Sequence, residues 1–264
     1  MKILNFLFSR SKQEQDKPIR DKLKTRKDFE RVLAEDLDIM ETTKARIDTA
    51  KNINLYMYRS LSYSYILILQ SKYSVDAKID ELRDIYIKSM YYFLQAFNKR
   101  NPIYADILNY VSLGVLLNIP DNNFRQLIDY VKQMDKQAKP SGWTPDLLLW
   151  FMLNSRMKEQ EKQKYAETLA YPRLYNGLYK VIQAPNAAAA KDTLNKYLDR
   201  WYNLNSNAPW YNSHLKDNSY RGYWAWEVAA VAKIMHIDDS DLKNNQYYPY
   251  DMVHWADNET TAKE

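Results

Sequence analysis

The chain has 264 residues, 46% of them hydrophobic, enough to bury one large core or two smaller ones. Its four glycines (Gly114, Gly142, Gly177 and Gly222) are too few for the turns of a β-rich fold. Absence of cysteine excludes disulfides, thiolate metal sites and a cysteine nucleophile, and it fits a reducing cytoplasm. The formal charge of +5 hints at acidic partners, yet the charge is uneven: residues up to Arg31 carry an excess of Lys and Arg, whereas the segment after Ile234 is acidic.

In chain order, residues 1–18 read as a loosely ordered leader. Its apolar run from Met1 to Phe8 is short for a secretory signal, and no small-residue cleavage site follows. An N-terminal helical region is predicted over 19–136. Its first helix spans 19–51, with Leu23, Phe29, Leu33, Leu37 and Met40 apolar, and with Glu30, Glu35, Asp36, Asp38 and Glu41 crowding its later part. A second helix, rich in Tyr, Leu and Ile, runs from Leu55 to Leu69. The third, Ile79 to Phe97, sets Leu82, Tyr86, Met90 and Phe93 at the spacing of a core-facing stripe.

Pro102 opens a helix from Ile103 to Leu117, and Asp121 is the predicted N-cap of the next, which carries Phe124, Leu127, Ile128, Val131 and Met134. The polar, breaker-rich stretch 136–142 is the predicted linker. A C-terminal helical region follows over 144–256, with 257–264 as a tail. Thr144 is its predicted N-cap and Pro145 its first helical residue, ahead of the apolar helix Leu147 to Leu153. Further helices are predicted near Leu174–Ile182, Ala187–Trp201 and Tyr223–Met235. The expected fold class is therefore all-α, with packed antiparallel helices. No run reaches the roughly 18 uncharged apolar residues that a membrane span needs.

Little here points to chemistry. None of His214, His236 and His254 has a partner at zinc-type spacing, so neither a metal site nor a cofactor is predicted. There is no Gly-rich phosphate loop and no nucleophile elbow. Aromatics and carboxylates are compatible with the cleft of a helical carbohydrate-active enzyme. Trp150, Trp201 and Trp224, however, fall on apolar helix faces and read as core. Arg20, Lys22, Lys24, Arg26, Lys27 and Arg31 are compatible with a nucleic-acid-binding module, although Asp21, Asp28 and Glu30 interrupt them. Tyr- and Trp-rich segments away from the core faces suit a protein interface.

The sharpest feature is C-terminal: Arg221 and Gly222-Tyr-Trp-Ala-Trp-Glu-Val-Ala-Ala-Val-Ala-Lys-Ile234, then Ile237-Asp-Asp-Ser-Asp-Leu242, then Tyr247-Tyr-Pro-Tyr-Asp251. With the central run Tyr110-Val-Ser-Leu-Gly-Val-Leu-Leu-Asn-Ile119, this order of parts resembles the PoNi family, the bacterial immunity partners of PoNe DNase toxins. The resemblance covers residues 19 to 254, and it implies a non-enzymatic protein of an interbacterial polymorphic toxin system. Such a protein binds one cognate PoNe-type DNase toxin and occludes its DNA-binding or catalytic site, with no direct nucleic-acid contact of its own. An inhibitor of that kind is expected to turn carboxylates toward the toxin. The candidates are Glu30, Glu35, Asp36, Asp38 and Glu41 on the first helix, and Asp238, Asp239, Asp241 and Asp251 near the C-terminus. Gly222, Trp224, Glu227, Tyr248, Pro249 and Tyr250 read as structural. Glu227 needs a partner, with Arg221 or the tail in reach. Asp239 or Ser240 is expected to cap a short helix carrying Leu242, and Tyr248, Pro249 and Tyr250 to lay an extended tail back on the bundle.

Overall fold

A computed structural model describes residues 18–97, 103–136, 143–216 and 219–255. Among them are ten α-helices, three short 3-10 turns and no strand, only an isolated parallel bridge between Asp146 and Thr168. The architecture is all-α. The described residues form two compact units, one of residues 18–97 with 212–216 and 219–223, and one of 103–136, 143–211 and 224–255.

The first unit holds α1 (Arg26–Thr49), α2 (Leu55–Ser74) and α3 (Ile79–Phe97), with α2 packed against both neighbours. α1 starts seven residues later than its periodicity suggests, because Asp21 captures the backbone locally. Its Oδ1 accepts from the N–H groups of Leu23 (2.8 Å) and Lys24 (3.0 Å), a turn that competes with helix. Thr25 then closes a reciprocal capping box with Asp28. α2 runs past Leu69 to Ser74, since Ser71, Tyr73 and Ser74 are buried. Its buried serines permit close helix approach, and the Ser89 hydroxyl of α3 donates to the Ser62 carbonyl at 2.8 Å. The α3 stripe is as spaced: Leu82, Tyr86, Met90 and Phe93 are buried.

Residues 212–223 complete this unit from far along the chain. Tyr220 is buried with its ring 5.7 Å from Phe29, and its hydroxyl donates to Asp21. Ser74 donates to the Arg221 carbonyl at 2.9 Å.

The second unit holds α4 (Tyr104–Leu116), α5 (Asp121–Lys136), α6 (Leu147–Asn154), α7 (Pro172–Ile182), α8 (Ala187–Leu204), α9 (Trp226–Met235) and α10 (Tyr250–His254). α9 is its axis and touches α4, α6, α7, α8 and α10. Its buried side chains Ala229, Ala230, Val231 and Ala232 are small, so helices can approach it from several sides.

Two predicted caps are corrected. Asp121 is the first residue of α5 rather than its cap. The N–H groups of Asn123 and Phe124 donate to the Pro120 carbonyl, which frees the Asp121 carboxylate to pair with Arg156. α6 is capped by Asp146, not Thr144. Asp146 is wholly buried, and its oxygens accept from Leu149 N–H (2.7 Å), Ala170 N–H (2.7 Å) and the Tyr104 hydroxyl (2.8 Å). A buried carboxylate needs that many donors, which only tertiary packing supplies. No described helix is long and apolar enough to cross a membrane.

Candidate functional site

α1 presents two chemically distinct sides. Phe29, Val32, Leu33, Asp36 and Ile47 face inward, while Glu35, Asp38 and Glu41 are exposed and Glu30 is half-buried. None of Glu30, Glu35, Asp38 and Glu41 takes an ion pair or side-chain hydrogen bond from another described residue. Asp36 differs. It is 3% exposed and is gripped by the Arg221 guanidinium through Nε (2.5 Å) and Nη2 (2.8 Å). A bidentate, buried pair of this kind holds residues 212–223 in the first unit rather than offering charge to a partner.

The C-terminal carboxylates are engaged within the second unit. Lys191 Nζ lies 2.9 Å from Asp238 and 3.3 Å from Asp241, and Asn195 donates to Asp241 at 2.9 Å. Hydrogen bonds from Lys191 and Ser240 hold the Asp238 carboxyl well below the usual carboxylate range. Asp239 is 2% exposed, accepting from the Tyr248 hydroxyl (2.6 Å) and lying 2.8 Å from His254 Nε2. It precedes the 3-10 turn Ser240–Leu242 but makes no side-chain cap there. Asp251 is half-buried in α10 and has an interaction of its own.

The C-terminal signature is packed into the fold. Gly222 takes φ 104°, a left-handed geometry that suits glycine. Trp224 is buried with its ring 6.1 Å from Trp226. Among the described residues Glu227 pairs with neither Arg221, which belongs to Asp36, nor the segment 247–255. Its Oε1 accepts from the Trp201 indole N–H at 2.6 Å. Tyr248 is buried, and the segment beyond it is helical rather than extended, since Met252 N–H donates to the Pro249 carbonyl and α10 begins at Tyr250. The Tyr250 ring lies 4.5 Å from His254.

Trp150, Trp201 and Trp224 are core residues at 2%, 4% and 7% exposure, so they line no open sugar cleft. The basic stretch is partly consumed internally. Arg20 donates to the Tyr73 and Ala77 carbonyls, lies over the Tyr73 ring and pairs with Asp76, while Arg26 donates to the Val75 carbonyl. Among the described residues no group of three or more His, Asp or Glu is placed to hold a metal ion.

One surface was not singled out from sequence. Tyr92 of α3 packs against Tyr58 and Tyr65 of α2, with ring centroids 5.9 Å apart in each case, and against Tyr91 at 5.1 Å. Tyr91 is 55% exposed and the other three are half-buried. Asp48 lies close enough for its charge to help raise the Tyr92 pKa, after the larger effect of burial. The seven-residue spacing of Tyr58 and Tyr65 was the legible signal, but pairing with α3 is a tertiary fact.

Residues 14–129 match the N-terminal model of the PoNe immunity proteins and residues 144–252 match the C-terminal one. The crystal structure of protein PA2201 from Pseudomonas aeruginosa shares the fold. The TM-score is 0.71 at 18% identity, over 97% of this chain and 95% of that one. No curated protein matches. With both halves of the family model found in order along the sequence, this chain belongs to the PoNe immunity protein (PoNi) family.

Proposed function

We propose that the chain is a cytoplasmic, non-catalytic immunity protein that binds one cognate PoNe-type DNase toxin and blocks its DNA-binding or catalytic site. The observation that carries this reading is the match to both PoNi models across most of the chain. The state of the carboxylates supports a contact through α1. Glu30, Glu35, Asp38 and Glu41 carry charge that no described cation answers, whereas Asp238 and Asp241 share Lys191 and Asp36 and Asp239 are buried. Exposed, unanswered carboxylates steer a basic partner and occupy the place of phosphate. The contact set proposed is therefore the α1 group without Asp36.

Three measurements test the reading. Co-expression with the toxin should restore growth, and the purified pair should form a 1:1 complex of roughly nanomolar affinity, about −12 kcal/mol. Duplex DNA should compete with the chain for a catalytically inactive toxin. Failure to protect or to bind would remove the immunity role. A complex indifferent to saturating DNA would remove occlusion of the DNA site.

A further inference from the structure

We propose that the tyrosine cluster of α2 and α3, bordered by Glu41 and Asp48 of α1, is the surface on which the chain docks the Arg- and Lys-rich DNA-binding face of its nuclease. This rests on the inhibitor reading above and commits it to one place in the first unit.

Three observations meet there. Tyr58, Tyr65 and Tyr91 each pack against Tyr92, yet none of the four hydroxyls is hydrogen-bonded to another described residue. A tyrosine offers a large rigid ring and a polar tip, the combination enriched at the centres of protein interfaces. Asp48 stands beside Tyr92, and Glu41 lies seven residues earlier on α1, hence on the same side and about 10 Å along the axis. Neither Glu41 nor Asp48 is ion-paired with another described residue.

The partner follows from the charge. A DNase must present cations to phosphate, and a chain of net charge +5 repels such a face unless acid is concentrated locally. From Val32 to Thr43, α1 carries Glu35, Asp36, Asp38 and Glu41 and no Lys or Arg. Tyrosine faces beside carboxylates suit guanidinium groups, which stack on the rings while pairing with the acids. Lys44, Arg46, Arg59 and Lys88 lie near these residues in sequence, so the surface is bordered by acid rather than uniformly acidic.

The experiment titrates the full-length chain into catalytically inactive PoNe-type nuclease domains and follows association and dissociation. Tyr91→Ala and Tyr92→Ala should dissociate about 30-fold faster than wild type. Glu41→Lys with Asp48→Lys should associate roughly 10-fold more slowly at low salt, with the difference shrinking near 0.5 M salt. Tyr91, Glu41 and Asp48 are exposed, so these variants report on binding without disturbing the core. If wild type binds and these exposed variants bind as well as it does, the surface is overturned and the inhibitor reading stands. If wild type binds none of the nuclease domains, that reading falls, and the surface falls with it.

Discussion

Inside the second unit, Glu227 of α9 accepts a hydrogen bond from Trp201 of α8. Part of its side chain reaches the surface, but burial of the carboxyl pushes its pKa up to about 7 from an ordinary 4.5, and the Trp201 N–H limits the rise. The unfolded chain therefore loses this proton near pH 4.5 and the folded chain only near pH 7. Through that window unfolding releases a proton, so rising pH removes stability, by up to about 3 kcal/mol. Glu227→Gln keeps an acceptor for Trp201 and lacks the titration. Its urea stability relative to wild type should improve as pH climbs from 4.5 to 7, and a constant difference across that range would contradict the assignment.

Asp36 and Asp38 form the complementary residue-scale contrast. Asp36→Ala removes the carboxylate that grips the Arg221 guanidinium, which is 10% exposed and keeps its hydrogen bond to the Tyr220 carbonyl, and should cost about 3–5 kcal/mol in denaturant unfolding. Asp38→Lys alters an exposed position that has no ion pair with another described residue. It should change stability by no more than about 0.5 kcal/mol while slowing toxin association. The reverse ranking would show that the roles have been exchanged.

At the scale of elements, close approach is bought by small side chains. α7 and α8 meet at Gly177, where an added Cβ would sit 2.6 Å from Tyr197 Cδ2. Tyr197 is itself anchored, its hydroxyl donating to the Leu174 carbonyl at 3.1 Å, so the ring cannot simply swing aside. Gly177→Ala gains helix propensity but forces the pair apart. A net loss of about 1–3 kcal/mol is expected from thermal or urea melts, and a stabilised variant would mean that the ring yields. Helix spans were largely readable. The α3 stripe follows from periodicity and α6 from its unbroken apolar run, while α7 begins at Pro172, two residues ahead of the expected Leu174. Ends were less readable, because Asp21, Pro120 and Asp146 each satisfy backbone donors in a way that depends on local competition or on distant partners.

For the molecule as a whole, net charge is a poor guide to the partner, since the basic residues near the N-terminus are partly folded onto carbonyls and the C-terminal acids onto Lys191. Composition, helical period and the C-terminal signature by themselves determined an all-α chain, most of its helices and its family. These depend on local propensity and on the order of side chains along the chain, which sequence records directly. Which carboxylates remain unanswered, which tyrosines gather, and that Glu227 meets Trp201 while Arg221 meets Asp36 were decided by tertiary structure alone. Those pairings join residues 26 and 185 positions apart, and burial sets their strength only once the helices have packed.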